Sequence, residues 1–113
     1  MLNDVRPAKV LAVFLIAYEA KDICAIDRLL AEGVTLQDWN LAVQGRESVV
    51  AEMLKNFNEA ESLQLQVRQF YEGDGCAAAQ IRIVVNTSVE LEVVDAITID
   101  LDGKITSIRA YKG

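Results

Sequence analysis

The chain has 113 residues, enough for one domain around one core. Half of it is hydrophobic and a quarter charged, with a net charge of −6 and no Lys/Arg cluster, which excludes a disordered chain, a nucleic-acid partner and an anionic membrane surface. Histidine is absent, so acid–base chemistry near neutral pH falls to carboxylates, tyrosines, lysines or thiols with shifted pKa values.

Pro7 suits the first turn of a helix, and Ala8 to Lys21 are good helix formers, apolar enough to predict burial on most sides. Lys9 and the run Val10 to Ala17 also resemble the start of a secretion signal. Asp4 and the direct passage into Tyr18-Glu19-Ala20-Lys21-Asp22 favour a helix instead. Asp22 can cap a second helix, Ile23 to Glu32, ended by Gly33. Val34 to Trp39 alternates as a short strand. Gly45 precedes a third helix, Arg46 to Asn58, with Val49, Met53 and Phe57 at helical spacing. From Glu61 the period changes to two. Strands follow over Leu63 to Val67, Cys76 to Asn86, Val89 to Leu101 and Lys104 to Lys112, with hairpin turns at Gly73-Asp74-Gly75 and Asp102-Gly103. Helices followed by a meander make an α+β pattern in a single domain, 1–113. Cys24 and Cys76 lie in apolar runs and form no C-x-x-C unit, which predicts buried inert thiols and a reducing, cytoplasmic setting.

The informative feature is strand phase. Side chains two apart share a face, so Asp95 lies in the row Val89, Leu91, Val93, Ile97, Ile99, while Glu90, Glu92, Thr98 and Asp100 lie on the other. Asp38 is likewise in phase with Val34 and Leu36. Each of these strands thus turns one carboxyl toward the apolar side, unless a bulge or slip reverses it. Burial raises a carboxyl pKa, and two carboxyls facing one cavity push their values apart, so that one can act as base and the other as neutral donor. Either aspartate could instead cap a turn or pair with an arginine such as Arg109.

Several segments together resemble the superfamily named for nuclear transport factor 2, and within it the ketosteroid-isomerase-like and SnoaL-like proteins. They are Ala20-Lys21-Asp22, Ile26 to Asp38, Gly45-Arg46-Glu47-Ser48-Val49, Asp95-Ala96-Ile97 and Asp102 to Arg109. The resemblance implies a cone-shaped, curved mixed or antiparallel sheet wrapped by three N-terminal helices. It implies that Asp38 matches the isomerase's general base and Asp95 its protonated acid in the oxyanion hole. The family's catalytic tyrosine is replaced by Phe14, with Tyr18 one helical turn further on, and Met53 stands near the place of a supporting tyrosine. The late aspartate of the related epoxide hydrolases would fall near Ala110, and the histidine common in SnoaL-type cyclases is missing.

The expected site therefore holds Asp38 and Asp95 within walls supplied by Phe14, Tyr18, Trp39, Phe57, Val93 and Ile97, with no metal and no cofactor. The expected ligand is small and apolar. Three readings stay open: a carboxylate-based isomerase or lyase acting on a carbonyl compound, a non-catalytic binder, and an interaction module with a vestigial pocket. Val84, Val94, Ala96, Ile108 and Ala110 are expected to add apolar surface to the outer sheet face, fitting a homodimer.

Overall fold

The computed structural model describes residues 5–113. Three helices, α1 (Pro7–Glu19), α2 (Ile23–Leu29) and α3 (Arg46–Glu59), pack on a sheet of six strands. These are β1 (Leu30–Gln37), β2 (Ala42–Gln44), β3 (Leu63–Gly73), β4 (Cys76–Val85), β5 (Val89–Ile99) and β6 (Ile105–Lys112), in the order β2-β1-β6-β5-β4-β3. β1 runs parallel to β6 and every other pair is antiparallel. The fold is α+β with a mixed, unclosed sheet, as the resemblance implies.

Pro7 opens α1, and Leu11, Phe14, Leu15 and Ala17 form its buried face against β3, β4 and β5. The other face is open, with Ile16 70% exposed and Val13 43%, so the expected burial on most sides does not occur: the sheet covers one side only. Asp22 caps α2 by accepting from the Ala25 amide at 3.1 Å. Val49, Met53 and Phe57 seat α3 on β1 and β2. Cys24 is exposed and Cys76 half-buried, contrary to the expectation of two buried thiols; Cys24 points away from the α2 stripe that carries Ile26.

Two register breaks separate sequence pattern from structure. α2 ends at Leu29 rather than Glu32, because Leu30 pairs with Ile105 of β6. Gly33 therefore lies inside β1, where the register shifts between Leu30 and Thr35, instead of ending a helix. In β6, Ser107 faces Thr98 but Ile105 faces Ile99, so Thr106 is an extra residue. This bulge reverses the phase: Ile105 and Ile108 both enter the core, Ala110 turns inward opposite Asp95, and Arg109 turns outward opposite Ala96. Ile108 and Ala110 thus do not belong to the outer face.

The core runs from Leu11 and Phe14 through Ile26, Leu30 and Val49 to Ile81, Ile97 and Ile105. Leu11 has no exposure, and its truncation in Leu11→Ala is expected to destabilise the fold by about 2–5 kcal/mol. A urea denaturation midpoint lowered at constant slope checks this.

A candidate carboxylate pocket under the helices

Between α1, α3 and the inner sheet face lies a cavity of about 450 Å³, a size typical of small-molecule sites. Its deep wall includes Phe14, Met53, Leu36, Val93 and Ile108, all buried, and its mouth carries Trp39, Asn40, Asn56 and Glu59, all exposed. Three polar ties hold the helix ends to one another and to the sheet around it. Glu19 Oε2 accepts from the Leu65 amide at 2.7 Å, the Lys21 ammonium donates to the Ala60 carbonyl, and Asn86 Oδ1 accepts from the amides of Glu61 and Ser62.

Asp38 follows β1 directly. Its Oδ1 accepts from the Asn40 amide at 2.7 Å and the Leu41 amide at 2.9 Å, while its own amide donates to the Leu41 carbonyl. It therefore caps the turn into β2, and the same side chain lines the cavity. No described residue donates to Oδ2.

Asp95 sits in the middle of β5 on the inner face, between Ala79 of β4 and Ala110 of β6. These neighbours are methyl groups and offer no donor. Its carboxyl lines the cavity, and burial alone pushes it up from 3.8 to about 7. Two carboxyls on one wall thus differ in circumstance: one is held by two amides, the other faces apolar surroundings without a partner among the described residues.

Tyr18, in the last turn of α1, packs its ring edge-on to Phe57 at 4.8 Å and lies 6.0 Å from Phe14. Burial raises its phenol above the ordinary value; a hydrogen bond with the Asn56 side chain opposes this, and the charges of Asp95 and Asp38 add to it. Trp39 is 43% exposed at the mouth, with Lys112 Nζ 5.7 Å from the centre of its ring.

Phe14, Tyr18, Trp39, Val93, Asp38 and Asp95 therefore share one cavity. Phe57 and Ile97 stand behind its wall as core residues, Phe57 supporting Tyr18 and Ile97 packed beyond Asp95 along β5. Asn56 and Glu59 were not singled out from the sequence. Asn56 follows the lining residue Met53 by three positions and Glu59 follows Asn56 by three, a helical spacing that places them on the same face. A second, more open groove of about 490 Å³ lies on the outer sheet face, lined in part by Tyr71, Cys76, Ala78, Ala96 and Arg109. Arg109 pairs with neither aspartate.

A helix-wrapped mixed sheet with a cavity on its inner face is the architecture of nuclear transport factor 2-like proteins. The chain belongs to the SnoaL-like domain family, whose pattern matches residues 10–108. A nuclear transport factor 2-like protein of unknown function from Cytophaga hutchinsonii superposes with a TM-score of 0.81 at 17% identity, covering 100% of this chain and 95% of that one. An LEH-like epoxide hydrolase of M. tuberculosis gives 0.80 at 14% identity, with 95% and 82% covered. A candidate ketosteroid isomerase of Kribbella flavida gives 0.79 at 16%, with 95% and 77% covered. At these identities the likeness concerns the fold, which hosts unrelated activities. No curated protein matches the chain.

Proposed function

We propose that this protein is a small-molecule pocket protein that moves a proton on an apolar carbonyl compound. The observation that carries this reading is the electrostatic asymmetry of the two carboxyls on one cavity wall. Asp38, with Oδ1 fixed by two amides, has Oδ2 left to take a proton from the carbon next to a carbonyl. The C–H electron pair then forms the enolate double bond, and the carbonyl π pair moves onto oxygen. Asp95, raised to about 7, keeps a substantial protonated fraction at neutral pH and in that form can donate a hydrogen bond to that oxygen. Asp38 returns the proton to the far end of the conjugated system, giving an isomer with no co-reactant consumed.

Phe14 contributes no hydroxyl, and Tyr18 is the one hydroxyl-bearing residue among the described residues of the wall. Absence of one oxyanion donor costs about 10²–10³ in rate, so turnover is expected to be slow beside that of an enzyme with a full set. A pH–rate profile on a panel of small enones tests the reading. Turnover that falls as pH rises through the Asp95 range supports it; absence of turnover with every enone, at every pH, rejects catalysis.

A second reading, a non-catalytic binder, is favoured by the turn-capping role of Asp38, which needs no chemistry to account for it. Apolar ligands would then raise the melting temperature without being converted.

Assembly and location belong to the same proposal. With Ile108 and Ala110 turned inward, the outer face keeps Ala78, Val94 and Ala96 in line across β4 and β5, a small-residue surface suited to a symmetric homodimer. Ala96→Glu is expected to shift the sedimentation mass from dimer to monomer, and an unchanged mass removes this interface. No helix of the described residues is long and apolar enough to cross a membrane, and both cysteines are free, in keeping with a cytoplasmic protein.

A further inference from the structure

We propose that the molecule bound in this cavity is an amino-carbonyl compound: an apolar body whose carbonyl lies at Asp95 and whose basic nitrogen lies at the mouth, between Glu59 and Trp39. This rests on the reading of the cavity as a ligand pocket and goes beyond it in naming the charge of the ligand. Among the described residues of the wall, the phenol of Tyr18 aside, every titratable group is a carboxyl: Asp38, Asp95 and Glu59. No lysine or arginine is among the described residues that line it.

The deep end asks for an occupant. Asp95 is flanked by the methyl groups of Ala79 and Ala110, burial is the only influence on its carboxyl, and no described residue gives it a hydrogen bond. A polar group so placed is satisfied by something that enters the cavity. A carbonyl oxygen, meeting the protonated carboxyl, fits that place.

The mouth sets the sign of the remaining charge. A ligand carboxylate or phosphate there would meet Glu59 and Asp38 across a partly dry space, where like charges repel more strongly than in bulk water. An ammonium would meet opposite charge and, on the lining of the same cavity, an exposed indole. The indole face already attracts a cation, since Lys112 Nζ lies 5.7 Å from its centre, within the range of a cation–π contact. Lys112 is exposed, and two ammoniums on one ring face would repel, so a ligand ammonium takes that position by displacing it.

Three naphthyl ketones that differ at one position test the proposal: 6-acetyl-2-(aminomethyl)naphthalene, its hydroxymethyl counterpart and 6-acetyl-2-naphthoic acid, titrated calorimetrically into the full chain. The amine is expected to bind about tenfold more tightly than the alcohol, and the acid about tenfold more weakly, as expected for one charge near a protein surface. In Glu59→Gln the amine should lose most of that advantage while the alcohol keeps its affinity. An amine that binds no better than the alcohol overturns the proposal and leaves the pocket reading standing. So does an acid that binds best and loses its affinity in Lys112→Met. Failure of all three ketones to bind rejects the pocket reading together with the inference.

Discussion

Asp38→Asn is expected to reduce turnover of any enone the protein converts by about 10²–10⁴, the usual contribution of a positioned general base. The substitution is informative because it separates the two roles of the side chain. Asparagine keeps an Oδ1 that can accept from the amides of Asn40 and Leu41, so the turn between β1 and β2 should persist and stability should change by no more than about 1 kcal/mol. What is lost is the oxygen able to take a proton. A thermal melt and a steady-state rate on the same sample check both halves: a preserved melt with lost turnover identifies the base. Unchanged turnover would show that Asp38 serves the turn alone.

Asp95→Asn is expected to make the protein more stable at alkaline pH, with the sign set by proton linkage. In the native state this carboxyl titrates near 7 instead of 3.8, so between those values the folded chain holds more protons than the unfolded one. The contribution of this group to stability is present in full below 3.8, is lost progressively as pH rises from 3.8 to 7, and changes little beyond 7, because ionising Asp95 places a charge among apolar walls. Between pH 5 and pH 8 the wild type should lose roughly 2–3 kcal/mol from this group relative to the asparagine variant. Urea unfolding of both proteins at the two pH values measures the difference. Parallel pH dependence in the two proteins would mean that Asp95 is hydrated and ordinary. The asparagine amide can still donate to the enolate oxygen and does not ionise, so the fall in turnover as pH rises through 7 should disappear in the variant.

Much of the candidate site could be read from strand phase, because a period of two is a local property that survives when both faces of a strand have settled environments. Val93, Asp95 and Ile97 share a row in sequence and in structure, as do Ala77, Ala79 and Ile81 on the strand beside them. The turn residues were legible for a similar reason: Gly75 and Gly103 have φ of 68° and 80°, which glycine adopts freely. Helix faces were legible in part. The stripe Val49, Met53, Phe57 is buried, but α1, apolar throughout, gives no internal sign of which side meets the sheet.

The tertiary structure alone decided the rest. Leu30 to Gly33 reads as the end of a helix, and becomes strand because β6, distant in sequence, supplies parallel hydrogen-bond partners from Ile105 onward. The bulge at Thr106 turns Ile108 and Ala110 inward and Arg109 outward, and nothing in the alternation of that segment marks the extra residue. It is this reversal that sets a methyl group, not a guanidinium, beside Asp95. The cavity itself depends on how far α1 and α3 stand from the sheet, which decides that Phe57 and Ile97 are core while Asn56 and Glu59 reach the wall. Periodicity places a side chain on a face; only packing between elements far apart in the chain determines whether that face meets another side chain or an open space.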